Sequence, residues 1–267
     1  MTRRDVLIRE MGLGPVWKLR GPRLEEAEQP VAAVTNAPAP AMTPAVRRMP
    51  STSSMPPPRE LASTVAAVAP VIDTERDQRI LGMDWIELKS AVAACQACSL
   101  HKTRRNTVFG TGNESAEWML VGEAPGAEED ARGEPFVGQA GQLLDNMLAA
   151  LDMDRSKHVY IANVLKCRPP ANRNPDLAEV AQCSPHLVRQ VALVRPKLIL
   201  AMGRFATQAL LGSEASIASL RGKLHQYQGV PVIVTYHPAY LLRNLTDKAK
   251  AWEDLCFARR TLLETQR

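Results

Sequence analysis

The feature that most constrains this chain is the distribution of its aromatic residues. No aromatic residue lies between Trp17 and Trp85, and all four Phe and all four Tyr lie beyond residue 100. A long stretch without aromatic side chains buries too little apolar area to form a core. Residues 85–267 are numerous enough for one well-buried domain. The sequence therefore predicts one globular domain behind a long N-terminal extension.

The extension divides into a short peptide and a linker. Residues 3–20 predict an amphipathic helix followed by a Gly-Pro break and Trp17. Residues 25–80 contain 9 Pro and 11 Ala, which is typical of a disordered linker with polyproline-II character. A coil packed loosely on the domain is the alternative. The predicted organisation is a peptide of residues 1–24, a linker of residues 25–83 and a domain of residues 84–267.

Composition argues against several classes of protein. No run of about 18 apolar residues is present, so no membrane span is predicted. The first residues carry charges where a signal peptide needs apolar side chains, which favours a cytoplasmic location. The net charge is +5, and residues 85–267 hold 22 Lys and Arg against 18 Asp and Glu. This modest basic excess is compatible with a polyanion as partner. Nothing indicates an oligomer, so a monomer is expected.

Apolar strand segments alternate with helical segments along residues 84–267. WMLVG, HVYIAN, KLILAMG and VPVIVT have the composition of buried strands, and a helical pattern follows each one. This alternation predicts an α/β fold with three layers, α/β/α, around a central, mostly parallel four-stranded sheet. Ligand sites in such sheets lie at the carboxyl ends of the strands. The candidate site is therefore at Gly122–Gly126, Asn163, Gly203 and His237.

Four of the five cysteines have the spacing of a metal site. Cys95 and Cys98 form a CxxC pair, and Cys167 and Cys183 form a second pair separated by 15 residues. Two such pairs predict a four-thiolate site for zinc or an iron–sulfur cluster, and spacing does not choose between them. Four scattered buried thiols are the alternative. Cys256 lies among apolar residues and is expected to be a core residue.

Four short motifs lie at the predicted strand ends. Each one alone has an ordinary structural interpretation: a turn after a strand, a Phe plug in the core, or an Asn or His that satisfies backbone groups. Their order, interleaved with the four cysteines, is far more specific. The motifs are GEAPG (122–126), GEPFVGQAG (133–141), NVLKCRPPANRNP (163–175) and TYHPAYLLRN (235–244).

Together, the motifs and cysteines resemble the family 4 uracil-DNA glycosylases, the iron–sulfur members of the uracil-DNA glycosylase superfamily, over about residues 85–265. The resemblance implies a DNA-repair enzyme that flips deoxyuridine out of uracil-containing DNA and hydrolyses its N-glycosidic bond. A non-catalytic DNA-binding accessory protein of replication and a glycosylase for another deaminated base are the alternatives. The resemblance also implies a 4Fe-4S cluster of structural role, ligated by Cys95, Cys98, Cys167 and Cys183.

The resemblance also implies which residues contact the flipped uracil. Phe136 would stack on the flipped uracil, and Asn163 would accept from N3–H and donate to O4. His237 would donate to O2, where negative charge develops, and backbone amides of the turn that includes Gly122 and Ala124 would assist it.

The resemblance ranks the carboxylates less firmly. Glu123 is the first candidate for the catalytic carboxylate and Glu129 the second, whereas Glu128 and Asp130 are expected to be solvated charges. Better-known members of the superfamily carry Asp or Asn at the position of Ala124, which leaves the residue that activates water open.

The segment after His237 and the segment beside the third cysteine are predicted to bind DNA. Leu241 and Leu242 would enter the minor groove, and Arg243 would contact a phosphate. Two core leucines at the start of a helix are the alternative. Three further basic residues are expected to contact phosphates: Lys166, Arg168 and Arg173.

The N-terminal peptide has a resemblance of its own. RRDVLIREMGLGPVWKLRGP is similar to the N-terminal peptide of the psi subunit of the bacterial clamp loader. This similarity implies that residues 1–24 bind clamp-loader subunits while the linker lets the domain search nearby DNA. An arm that folds back on the domain is the alternative.

Overall fold

The computed structural model describes residues 74–265. Its strands are β1 (Thr111–Gly112), β2 (Trp118–Gly122), β3 (Val159–Asn163), β4 (Leu198–Met202), β5 (Leu224–Tyr227) and β6 (Val230–Thr235). Its helices are α1 (Thr74–Gly82), α2 (Trp85–Ala94), α3 (Ala127–Arg132), α4 (Gln139–Ala149), α5 (Leu177–Val194), α6 (Arg204–Leu211), α7 (Ile217–Leu220), α8 (Pro238–Leu241) and α9 (Lys248–Thr265). Short 3₁₀ turns lie at Ser99–Lys102, Pro170–Asn172 and Leu245–Asp247. None of the helices in residues 74–265 is long and apolar enough to cross a membrane.

The strands form one sheet in the order β1-β3-β2-β4-β6-β5. The central strands β3, β2, β4 and β6 run parallel, and they are the four that the sequence predicts. The edge strands β1 and β5 pair antiparallel with β3 and β6, so the described sheet has six strands rather than four. Neither edge has a strand signal in the sequence, because β1 is only 2 residues long and no position of β5 is buried.

Helices cover both faces of the sheet, which confirms the predicted three-layer α/β/α fold. Every residue of β2, β3 and β4 is buried, as expected for parallel strands covered on both sides. On one face, Val121 belongs to a core with side chains of α5 and α6. On the other face, Leu120 belongs to a core with side chains of α4 and α9. Successive strand residues point to opposite faces, so one strand supplies both cores.

Helix α1 extends the folded domain toward the N-terminus. Its Ile80 side chain is buried, and the Arg76 guanidinium donates to the backbone carbonyl of Gln182 in α5 at 3.1 Å. The predicted linker of residues 25–83 was therefore wrong at its C-terminal end. Ile80 is the one buried residue in 75–82, so the helix depends on docking more than on its own apolar pattern. The predicted peptide of residues 1–24 and the linker up to residue 73 lie outside the described residues.

Candidate active site

An open cleft of about 750 Å³ lies at the carboxyl ends of the parallel strands. Ligand sites of α/β folds form at this edge of the sheet, as the sequence predicts. The cleft brings together predicted site residues from segments that are far apart along the chain. Those that line it are Glu123, Ala124, Glu129, Phe136, Asn163, Arg173, His237 and Arg243.

The loop between α3 and α4 holds the Phe136 ring in the cleft. Phe136 is 5% exposed, and its backbone is left-handed with a φ of 54°. The centroids of the Phe136 and His237 rings are 5.5 Å apart. Gly141 makes this loop possible, since a Cβ there would lie 1.9 Å from the Phe136 carbonyl oxygen. The loop keeps the ring in place with a backbone conformation that costs about 1–3 kcal/mol.

The Asn163 amide is buried at the end of β3. Asn163 is 2% exposed, and its Oδ1 has no hydrogen-bond partner among the described residues. An unpaired buried acceptor costs about 1–3 kcal/mol. Gly122 leaves room for this amide, because a Cβ there would lie 2.4 Å from Asn163 Oδ1 and 2.7 Å from Phe136 Cζ. An N–H donor on a ligand would satisfy the free oxygen.

His237 presents one N–H donor to the cleft. The residue is the N-cap of α8, and its Nδ1 accepts a hydrogen bond from the backbone N–H of Ala239 at 3.2 Å. Burial, helped by the positive charge of Arg243, lowers the pKa of His237 to about 4. The imidazole is therefore neutral at pH 7, and its single proton is on Nε2 because Nδ1 accepts.

Glu123 follows β2 in the GEAPG turn and lines the cleft. Its backbone carbonyl accepts from the N–H of Leu165 at 3.0 Å, which ties the turn to the segment after β3. Burial raises the pKa of the Glu123 carboxyl to about 7. A carboxyl that titrates near neutral pH is suited to acid–base or electrostatic work in the cleft.

Glu129 also lines the cleft, but it has a structural task. Its Oε1 accepts hydrogen bonds from the backbone N–H groups of Val137 and Gly138, both at 3.0 Å. Those amides follow Phe136 directly and lead into α4. One oxygen of the Glu129 carboxylate is thus committed to the loop that carries the ring.

The two carboxylates beside Glu129 differ from each other. Glu128 is exposed and lies 3.5 Å from Arg132, as expected for a solvated charge. The same expectation for Asp130 was wrong, because this residue is 7% exposed and accepts from the backbone N–H of Arg105 at 2.9 Å. Asp130 ties α3 to the segment before β1, a contact between distant segments that the sequence pattern does not reveal.

The segment after His237 is divided between core and surface. Leu241 is 1% exposed, so its predicted insertion into the minor groove was wrong and it is a core residue. Leu242 is 39% exposed, and Arg243 lines the cleft. Successive residues of a helical turn face different directions, so only one of the two leucines is available to DNA.

Lys166 is buried rather than available to a phosphate. The residue is 2% exposed. Its Nζ donates to the backbone carbonyl of Asn163 at 2.7 Å and to Oε1 of Gln190 at 2.6 Å. The predicted phosphate contact was therefore wrong, because the charged end of the side chain turns into the domain.

Arg173 and Arg168 have partners within the protein. The Arg173 guanidinium lines the cleft and lies 2.6 Å from the buried carboxylate of Glu179. Nε of Arg168 donates to Oδ1 of Asn172 at 2.7 Å, and Arg168 does not line the cleft. Arg173 is the one of the two that remains next to the space where a ligand would lie.

The four paired cysteines line one small cavity between α2, α5 and the segment after β3. All of them are free of disulfides. Within residues 74–265, no three His, Cys, Asp or Glu side chains are grouped to hold a metal ion. Three donors lie near the sulfurs. Nη1 of Arg104 is 3.1 Å from Cys167 Sγ, the backbone N–H of Lys166 is 3.3 Å from Cys183 Sγ, and Nη2 of Arg76 is 3.8 Å from Cys95 Sγ. Cys256 lies apart from them in α9.

Sequence reasoning missed residues that carry no motif of their own. The Tyr236 and Tyr240 rings stack in the cleft wall with centroids 5.1 Å apart. Their only signal is adjacency to His237. Arg155 does not line the cleft, yet its guanidinium contacts the Phe136 loop. It lies in an ordinary polar loop, where the sequence gives no signal.

Comparison with known proteins identifies the family of this chain. The model of the uracil DNA glycosylase superfamily matches residues 109–256. Its relatives include proteins of several organisms that are named type-4 uracil-DNA glycosylase. That of Archaeoglobus fulgidus is 48% identical over 159 residues, which are 57% of this chain and 79% of the relative. That of Pyrobaculum aerophilum is 42% identical over 181 residues, 65% of this chain and 92% of the relative. That of Thermotoga maritima is 44% identical over 161 residues, which are 60% of this chain and 83% of the relative.

The family match covers more than half of the chain, and it includes all four strand-end motifs and every residue that lines the cleft. The resemblance that rests on the motifs is thereby confirmed. The chain belongs to the uracil DNA glycosylase superfamily and, within it, to the type-4 group.

Proposed function

We propose that this protein is a uracil-DNA glycosylase of base-excision repair, which flips deoxyuridine out of DNA and hydrolyses the N-glycosidic bond to release uracil. The observation that carries the proposal is the buried, unpaired Oδ1 of Asn163. It shares the cleft with the Phe136 ring and the N–H donor of His237. These three groups supply a stacking face, an edge reader and a hydrogen-bond donor for one flat base.

The Asn163 amide is complementary to uracil and mismatched to cytosine. Uracil presents a donor at N3–H and an acceptor at O4, and the amide offers an acceptor and a donor in return. Cytosine presents the reverse pattern at these two positions. A bound cytosine would leave two buried pairs unmade, at about 1–3 kcal/mol for each unpaired group. Because the Asn163 amide is buried, water does not replace the lost partners, and the full free-energy cost opposes the binding of cytosine.

Bond cleavage leaves its electron pair on uracil, with charge on N1 and O2. His237 Nε2–H donates to O2, and this hydrogen bond strengthens as the charge develops. The sugar gains oxocarbenium character, which the carboxylate of Glu123 stabilises. Water then adds to the anomeric carbon, and Glu123 accepts the proton that the water loses. Glu129 is the second candidate for this task, through the oxygen that does not hold the loop.

The raised pKa of Glu123 predicts how the rate of the reaction depends on pH. The group must be a carboxylate, and its pKa of about 7 means that the active fraction falls as the pH drops below 7. We expect kcat/KM to be about tenfold lower at pH 6 than at pH 8. Glu123→Gln should lower the rate and flatten this profile, whereas Glu128→Gln on the exposed side of α3 should keep it. An unchanged profile in the Glu123 variant would exclude Glu123 as the titrating group.

Leu242 and Arg243 are proposed as the DNA contacts beside the cleft. An exposed leucine that precedes the cleft-lining Arg243 is suited to fill the gap that a flipped nucleotide leaves in the duplex. A neighbouring guanidinium is suited to a backbone phosphate. Arg168 and Arg173 are proposed as weaker contacts, because both already have partners within the protein.

We propose that the four cysteines hold a 4Fe-4S cluster. The residues fit this group, because all four are free thiols that line one cavity. Four thiolates can hold four irons, one each, or a single zinc ion, and the resemblance to the iron–sulfur family favours the cluster. The cluster would tie the end of α2 to α5 and to the segment after β3. Free thiols in this number favour a reducing compartment, so we propose a cytoplasmic protein.

The N-terminal peptide is proposed as a tether to clamp-loader subunits. Its sequence pattern is the support, because residues 1–24 lie outside the described part of the chain. Such a tether would raise the local concentration of the domain near newly made DNA. A peptide of residues 1–24 that captures no clamp-loader subunit in a pull-down would exclude this role.

The test of the proposed function is uracil release from a single-uracil oligonucleotide by the full chain. We expect multiple turnovers from a brown protein with about four iron atoms per chain. Brown, folded protein that binds DNA and releases no base would contradict the enzyme and favour the accessory function. Release of another deaminated base instead of uracil would correct the substrate. A colourless, active protein with stoichiometric zinc would contradict only the cluster.

A further inference from the structure

The loop that carries Phe136 is held from outside the cleft by Arg155. This arginine lies between α4 and β3. Its Nη2 donates to the backbone carbonyl of Pro135 at 2.7 Å, and its Nη1 donates to the backbone carbonyl of Phe136 at 2.9 Å. One guanidinium thus binds two successive carbonyls at the point where the backbone turns left-handed.

The guanidinium is itself fixed by two carboxylates. Asp145 of α4 lies 3.3 Å from Nη1, and Glu134 lies 3.6 Å from Nη2. The Arg155 side chain is only 23% exposed. A planar fork with several donors can serve two carbonyls and a carboxylate together, which a lysine ammonium on its flexible stem cannot reproduce.

The amide side of the same loop is held by Glu129. Its carboxylate accepts from the two N–H groups that follow Phe136. The carbonyls before and at Phe136 are therefore bound by a cation, and the amides after it by an anion. Phe136 lies at the junction of these two anchors. Its ring faces the cleft, and its backbone has a positive φ that L residues rarely adopt.

We propose that Arg155 is a positioning residue, which holds the Phe136 ring where the flipped base stacks. The inference rests on the proposed function, and it adds a residue that contacts neither base nor DNA. If Arg155 acts through the Phe136 ring, removal of the arginine should weaken the binding of uracil. In a variant that already lacks the ring, the same removal should have no further effect on binding. A purely structural arginine would lower stability in either background.

The experiment is a double-mutant cycle on uracil release and on inhibition by free uracil. Stacking on one aromatic ring predicts a fall of about 5- to 150-fold in kcat/KM for Phe136→Ala. Arg155→Ala should approach that loss and weaken inhibition by uracil to a similar degree. The double variant Phe136→Ala/Arg155→Ala should stay within about twofold of Phe136→Ala, because the two changes remove one interaction. Arg155→Lys tests the fork with the charge kept, and added guanidinium should partly restore Arg155→Ala.

Arg132→Ala is the matched control, because its guanidinium lies 3.5 Å from a carboxylate on the exposed surface of α3. It should leave both readouts unchanged. Additive losses in the double variant, or Arg155 variants as active as the original chain, would overturn the inference and leave the proposed function intact. Unfolding of both Arg155 variants, measured by thermal midpoint and visible absorption, would also overturn it. If the unaltered chain releases no uracil, the proposed function fails and the inference fails with it.

Discussion

Replacement of His237 by alanine is expected to lower kcat for uracil release by about 100- to 1000-fold, which is the usual loss when one preorganised oxyanion donor is removed. The neutral ring offers Nε2–H to the cleft because Nδ1 is occupied by the N–H of Ala239. The expected loss is in kcat more than in KM, since the hydrogen bond gains strength only as charge builds on uracil. Single-turnover release from a uracil oligonucleotide measures it.

Two further variants separate this effect from damage to the fold. His237→Asn keeps a side-chain acceptor at the N-cap of α8, so the helix should remain capped while the donor no longer reaches the base. It should be as slow as His237→Ala and as stable as the original chain. His158→Ala, at an exposed histidine outside the cleft, should be fully active. A fast His237→Asn variant would show that His237 supports the helix and not the chemistry.

Replacement of Asn163 by aspartate is expected to reduce the preference for uracil over cytosine sharply. A buried carboxylate accepts hydrogen bonds but donates none, so O4 of uracil loses its partner. Each unmade buried hydrogen bond is worth about 1–3 kcal/mol, or roughly 5- to 150-fold in kcat/KM. Cytosine gains by the same change, because its exocyclic amine finds an acceptor. The measurement is kcat/KM on paired oligonucleotides with one uracil or one cytosine.

Asn146→Asp provides the matched control for this substitution. It makes the same chemical change at an exposed position of α4 outside the cleft, and its uracil preference should be unchanged. Equal preference in the Asn163 variant and the original chain would remove Asn163 from its role as reader of the base. The unpaired Oδ1 would then need another ligand.

Much of the fold could be predicted because its signals are local. The parallel strands are continuous apolar segments, and strands buried on both faces have this composition wherever they occur. The edge strands could not be found in the same way. One consists of two residues, and the other has no buried position, so pairing with a neighbour and not composition makes them strands.

The site residues divide along the same line. Phe136, Asn163 and His237 were identified from their motifs, and the cleft contains all three. The resemblance assigned Leu241 to DNA, whereas Lys166 was assigned to a phosphate and Asp130 to solvent because charged residues are usually accessible. All three are buried, and Lys166 and Asp130 have hydrogen-bond partners in segments distant in the chain.

The sequence by itself determined the class of fold, the edge of the sheet that holds the site and the chemical types of the groups at that edge. These follow from residue order, since strand, turn and cap preferences act over a few neighbours. Only the tertiary structure decided which of two adjacent leucines faces outward, which tautomer His237 adopts and which arginine holds the Phe136 loop. The burial, the pKa and the hydrogen-bond partners of a side chain depend on segments that meet in space. The sequence alone does not show which distant segments meet.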